Sequence, residues 1–331
     1  MKMSQIAFQK SLDLLRRAQA KEGFLASTTQ VDNYNRVWAR DGVICGLAAL
    51  LSEDESLAQG LKRTLITLKN HQSELGHIPS NVYLNGATPQ VSFGGLCGRA
   101  DTISWYIIGI CNYAQLKGDQ TFGEEMQASM QQGLRLMQAW EYNNRGLMYV
   151  PQSGDWADEY ILRGYVFYDQ VLRYWAMSLY ADYFEDSQVK QQVQELKGRL
   201  EKNYWTDLNP EEEGDLYHVN AHRVFREKHG SKPYWLSAFS PGGYNDKFDL
   251  FANALALLVD LGTDVQKQQV ITFGENLRKQ SPYHLLPAYY PVILEGEEGW
   301  KELLNNHKYA FRNIPQEFHN GGLWPMVNGF W

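Results

Sequence analysis

The chain reads as an all-α fold, one domain in which buried inner helices are ringed by outer ones. Three observations predict this. Apolar residues recur at helical spacing through most of the 331 residues. Nowhere do strands alternate with helices as a parallel sheet requires. The helical segments are also of two kinds. Gly42 to Leu51, Asp101 to Ala114 and Phe248 to Val259 are rich in small residues and nearly uncharged, whereas Gln131 to Gln138 and Val189 to Leu200 are amphipathic. An inner and an outer layer of helices need that division.

The helices follow in order. Ile6 to Ala20 carries apolar Ile6, Ala7, Leu12, Leu15 and Ala18. Gly42 to Leu51 is short and almost wholly apolar. Leu57 to Leu68 places Leu61, Leu65 and Leu68 on one stripe. Asp101 to Leu116 is again apolar, and Phe122 to Trp140 follows it. Val166 to Tyr183 pairs with Val189 to Tyr204, and Phe248 to Leu261 with Val265 to Gln280. Glu297 to Asn305 and Leu323 to Trp331 come last. Ten or eleven helices result, where six closed hairpins need twelve. The last segment, entered through Asn320 to Pro325, reads as the start of a helix, so residues 1–331 are expected to form a single domain whose final helices are missing.

Long connections run from Asn70 to Arg99, Trp140 to Arg163, Trp205 to Asp246 and Ser281 to Glu295. Loops of this length in a compact fold are usually functional. The site is therefore expected on loops at one face.

Composition excludes several function classes. Hydrophobic residues make up 44% of the chain, enough for a large core. The formal charge is −7, with both signs interspersed and no basic tract, which argues against a nucleic-acid partner. Cys45, Cys97 and Cys111 form neither a zinc knuckle nor a disulfide framework, so a reducing, cytoplasmic setting is expected. Lys10, Arg16 and Arg17 interrupt the N-terminal stretch where a signal peptide would be apolar, and no apolar run is long enough for a membrane span. His71, His77, His218, His222, His229 and His284 lack acidic partners at ligand spacing. No phosphate loop or dinucleotide fingerprint occurs. Neither a metal nor a cofactor is expected, and the oligomeric state is left open.

Chemistry concentrates in Gly154-Asp155-Trp156-Ala157-Asp158-Glu159-Tyr160, where three carboxylates and two large rings fall within seven residues. Aromatic rings stack on sugar faces, and an acid made less ionisable by its surroundings can protonate a glycosidic oxygen. The same residues also suit a helix entry with acids in its first turn.

Several islands then resemble the six-hairpin (α/α)6 barrel, or toroid, glycoside hydrolases. Val37-Trp38-Ala39-Arg40-Asp41 is similar to their W-x-R-D segment, and Asp101 with Trp105 to an acidic position opening the second inner helix. Trp156-Ala157-Asp158 resembles the W-x-D of the glycogen-debranching and neutral invertase groups. Tyr168-Asp169-Gln170 stands where those enzymes carry E-x-Q or E-x-N. Ser240-Pro241-Gly242-Gly243 and Asp249 with Asn253 echo another shared stretch. His319-Asn320-Gly321-Gly322-Leu323-Trp324-Pro325 is very like the H-N-G-G-x-W-P of the neutral and alkaline invertases. One departure is Asp158-Glu159-Tyr160, where the invertases have Asp-Arg-Arg.

The resemblance implies an inverting glycoside hydrolase acting on a small α-linked or sucrose-like glycoside. In those groups the Asp of W-x-D is the general acid, so Asp158 takes that role. Asp155, three residues away and on the same side if the segment is helical, could raise the pKa of Asp158 by repulsion. Asp155, Trp156 and Glu159 are otherwise expected to contact sugar. So are Trp38, Arg40 and Asp41, with capping a helix as the alternative for Asp41. Asp101 has the same two readings. Glu317 is the candidate base, unless the base is a Glu beyond residue 331, as the family pattern implies. His319 and Trp324 are expected to bind substrate. Two other functions stay open: a sugar isomerase or epimerase on the same toroid using His222, His284 and His319, and a non-catalytic glycan-binding protein.

Overall fold

The computed structural model describes residues 3–29, 31, 34–207 and 216–331. The chain opens with α1 (Met3–Ala18), β1 (Gln19–Ala20), β2 (Gly23–Phe24) and β3 (Val37–Trp38). Next come α2 (Ala39–Leu51), α3 (Glu55–Asn70), β4 (Asn81–Tyr83), β5 (Gln90–Ser92), α4 (Thr102–Lys117) and α5 (Gln120–Ala139). Then follow β6 (Tyr165–Val166), α6 (Phe167–Tyr183), α7 (Ser187–Asn203), α8 (Val219–His229), β7 (Leu236–Ser240) and β8 (Gly243–Asp249). The last elements are α9 (Leu250–Leu258), α10 (Asp264–Gln280), β9 (Tyr289–Tyr290), α11 (Trp300–Asn305) and α12 (Pro325–Phe330). Two compact units are formed. The first is Met1–Ala139 with Trp175–Lys190, the second Trp140–Tyr174 with Gln191–Trp331. Among the described residues no helix is long and apolar enough to cross a membrane.

In the first unit α2 packs on α3 and α4, and α4 on α5. Asp54 caps α3 by accepting from Leu57 N at 3.1 Å. Its apolar stripe, Leu57, Leu61, Leu65 and Leu68, is fully buried, and each leucine contributes about 2 kcal/mol of burial. The small residues of α2 have a steric reason. A Cβ on Gly46 would lie 2.3 Å from Leu61 Cδ1, so α2 and α3 approach too closely for a side chain there. The helix α4 is buried from Thr102 to Cys111, as an all-apolar inner helix must be. By contrast α5 buries only one face, with Phe122, Met126, Met130 and Met137. A three-stranded antiparallel sheet, β3-β4-β5, sets the entry to α2, with Trp38 opposite Asn81.

In the second unit α9 starts at Asp249, whose carboxylate accepts from Phe251 N and Ala252 N at 2.9 and 3.2 Å. Thr263 and Gln266 form a capping box at the start of α10. An antiparallel sheet runs β6-β7-β8-β9. Neither this sheet nor α8 was expected. The 205–246 connection was read as a loop, and its residues 208–215 lie outside the described residues. Within α8 only His222 and Phe225 are buried, too few to make a legible stripe. The hairpin of β7 and β8 turns at Pro241-Gly242 with Ser240 opposite Gly243, so the Ser-Pro-Gly-Gly motif is a β-turn.

Candidate active site

Within the second unit, the acidic segment 154–160 is not the entry to a helix. It forms turns, and Tyr160 N donates to Ala157 O at 2.8 Å. Asp158 and Glu159 are therefore the two central residues of a β-turn, and their side chains diverge. Asp155 is 1% exposed and accepts from Ala157 N at 3.1 Å. Glu159 is 3% exposed and is held by Arg312 Nη2 at 3.0 Å. Asp158 is partly exposed. The expected helical stacking of Asp155 beneath Asp158 does not occur, because the backbone there has no helical repeat.

Trp156 anchors the segment from below. Its ring is 3% exposed. It stacks parallel on Tyr289 at 5.6 Å and meets Phe251, His319 and Trp324 edge-on. An open platform for a sugar was expected; the ring is instead a wall packed by other rings. Trp324, half-buried and parallel to His319 at 5.1 Å, keeps more accessible surface. The indole N–H of Trp156 donates to Asp249 Oδ2 at 3.4 Å, and the Tyr289 hydroxyl donates to the same oxygen at 3.2 Å. Burial pushes the Asp249 carboxyl up to about 6, against the pull of these hydrogen bonds.

The 313–322 stretch forms a strained corner. Gln316 and Phe318 have φ of 71° and 45°, and Gly321 has φ of 93°. A Cβ on Gly321 would also lie 2.3 Å from Val292 Cγ1. His319 and Asn320 are buried, whereas Glu317 is exposed. Trp324 Nε1 donates to Phe318 O at 2.8 Å, and the Arg312 guanidinium lies over the Phe318 ring at 3.9 Å.

Beyond the turn, Ile161, Leu162 and Arg163 line a cavity of about 750 Å³ together with His218, Tyr244 and Glu302. Asp158 is not among its lining residues.

In the first unit, Arg40 Nη1 pairs with Asp101 Oδ2 at 2.6 Å. Asp101 is 1% exposed. It occupies the N-cap position of α4 but makes no side-chain cap, so its carboxylate serves Arg40 and the capping alternative falls. Asp41 lies in the first turn of α2, whose N-cap is Trp38; Asp41 is therefore not a cap either. Burial raises the Asp41 pKa, Arg40 opposes that rise, and Asp101 adds to it. Trp38 is half-buried and stacks on Tyr34 at 6.1 Å.

The three histidines of the isomerase alternative sit in unlike surroundings. His222 is on α8, buried against Trp205 O rather than in a loop, and His284 is exposed. His319 packs between rings at the corner. Residues that sequence reasoning left out of the site are Asp249, Tyr289, Arg312 and Asn313. Asp249 was legible as an acid before an apolar helix. Asn313, a lone amide in a polar loop, carried no signal.

The family model described as alkaline and neutral invertase matches residues 18–331. Alkaline/neutral invertase E, chloroplastic, of Arabidopsis thaliana is 24% identical over 355 residues, covering 91% of this chain and 56% of the relative. Neutral/alkaline invertase 3, chloroplastic, of Oryza sativa subsp. japonica is 23% identical, covering 89% and 56%. The chain thus spans about half the length of the curated relatives it matches. Among solved structures, the mannosylglycerate hydrolase of Thermus thermophilus superposes with a TM-score of 0.63 at 11% identity, covering 98% of this chain and 85% of that one. A rhamnosidase from Klebsiella oxytoca gives 0.58 at 15% identity, covering 85% and 49%. At such identity the likeness is one of fold, and that fold is the all-α six-hairpin toroid.

Proposed function

The chain belongs to the alkaline and neutral invertase family, and from that premise we propose that it is an inverting glycoside hydrolase of a small α-linked or sucrose-like glycoside, with Asp158 as general acid. The observation that carries this is the division of labour within the acidic turn. Asp155 and Glu159 are buried and committed to hydrogen bonds inside the protein, while Asp158 alone of the three carboxylates keeps accessible surface. A general acid must reach the leaving oxygen.

The names of the relatives support hydrolysis, since the curated ones are invertases and a solved structure of the same fold is a mannosylglycerate hydrolase. Glu317, exposed at the corner, is the candidate for the base among the described residues. An inverting pair stands about 6.5–9.5 Å apart, leaving room for the attacking water. Within the second unit, His319 and Trp324 are assigned to sugar contact. Asp155, Trp156 and Glu159, expected at the sequence level to touch sugar, are assigned instead to shaping the turn.

The test follows sugar release from sucrose and from small α-linked glucosides by the protein and by Asp158→Asn. Hydrolysis should fall by about 100-fold or more in the variant, the usual worth of a general acid, with the circular dichroism spectrum unchanged. Full turnover by Asp158→Asn would end the assignment. Retention of anomeric configuration in the first-formed product would overturn the inverting course.

A further inference from the structure

The acid turn is held from outside by a segment that the proposed mechanism does not use. Asn313 is fully buried and works at both ends of its amide. Its Nδ2 donates to Glu159 O at 2.7 Å, the backbone carbonyl directly after Asp158. Its Oδ1 accepts from His319 N at 3.0 Å and from Asn320 N at 3.2 Å. Asn320 returns the grip, since its Nδ2 donates to Asn313 O at 3.1 Å and to Ile293 O at 2.9 Å. One residue further along the turn, Asn306 Nδ2 donates to Tyr160 O at 2.9 Å.

The Asn313 side chain thus bonds both the turn and the corner. The Glu159 side chain reaches Arg312, whose guanidinium then rests on Phe318. In that route Glu159 is buried but the Arg312 end is half-exposed, so solvent weakens the restraint. The Asn313 amide is desolvated and planar, so it fixes distance and direction together.

We propose that Asn313 is a positioning residue, which fixes the Asp158 turn against the His319–Asn320 corner so that the acid meets the leaving oxygen. The inference rests on Asp158 being the general acid. Asn313 is the buried amide that ties the turn to the corner, and a displacement of about 1 Å at a reacting group can cost 100-fold in rate.

The experiment compares two substrates of the same sugar: sucrose, whose leaving oxygen needs a proton, and α-glucosyl fluoride, whose departing fluoride does not. In N313D the acceptor toward His319 N and Asn320 N remains, while the donor toward Glu159 O is lost. We expect kcat for the glycoside to fall about 10- to 100-fold with KM changed less than about threefold. For the fluoride we expect a loss of no more than about twofold, because proton donation no longer counts. Wild-type kcat on the glycoside, or an equal loss on both substrates, would overturn the proposal. Should N313D fail to fold, Asn313→Ser, whose side chain is too short to bond both Glu159 O and the His319 and Asn320 amides, is read by the same two outcomes. Asp158→Asn run alongside separates the failures. If that variant cleaves the glycoside at full rate, the acid assignment falls. If it behaves as an acid variant while N313D does not, only the positioning role falls.

Discussion

Asp249→Asn should change how the stability of this protein depends on pH. The Asp249 carboxyl is fully buried, and burial raises it from its ordinary value of 3.8 to about 6. A group that holds its proton more tightly in the folded chain stabilises the fold fully below the unfolded value. That contribution is lost as pH rises through the folded value. The interval between the two values corresponds to about 3 kcal/mol, lost between about pH 4 and pH 7. Asparagine cannot ionise. Its oxygen can keep the cap on Phe251 N and Ala252 N, but its amide N–H groups would face the Trp156 N–H and the Tyr289 hydroxyl. Those lost acceptors impose a roughly constant cost of about 1–3 kcal/mol at every pH. The stability of the variant minus that of the wild type should therefore be negative near pH 4 and climb by about 3 kcal/mol by pH 7. Urea unfolding of both proteins across that range measures the difference. A difference that stays flat within about 0.5 kcal/mol, near the precision of such extrapolations, would refute the reasoning. It would mean that the carboxylate is not desolvated.

Two further outcomes test other parts of the structure. Arg40→Ala removes the cation paired with buried Asp101 and should cost about 3 kcal/mol, read from the urea midpoint at neutral pH; a loss under about 1 kcal/mol would show that water screens the pair. Gly321→Ala forces a side chain onto a backbone of positive φ and into Val292. It should cost about 2 kcal/mol in unfolding measurements, where an effect within about 0.5 kcal/mol would mean that the corner relaxes freely.

Much of the helical framework was legible because it is written in local spacing. The Leu57–Leu68 stripe predicts both that α3 exists and which face it buries, since a 3.6-residue repeat brings those leucines to one side whatever lies opposite. The uncharged run of α4 likewise announced full burial. Legibility failed where burial was non-local. The strand β7 is buried through four of its five residues by neighbours far along the chain, so it shows no alternation. The two faces of α8 are mostly polar and gave no period.

The candidate site divides the same way. Composition alone drew attention to residues 154–160, and the resemblance attached a role to Asp158. Neither indicated which of the three carboxylates would keep accessible surface. Helical geometry would have stacked Asp155 under Asp158; the observed turn sends Glu159 to Arg312, buries Asp155, and leaves Asp158 partly exposed. The same holds for Asn313, which reaches Glu159 across 154 positions of sequence. By itself the sequence determined most of the helices, α8 excepted, the inner and outer classes among them, and the acidic segment, because spacing and composition act between near neighbours. Only the tertiary structure decided which acid is accessible and what holds it, because burial and hydrogen-bond partners are supplied by residues distant in the chain.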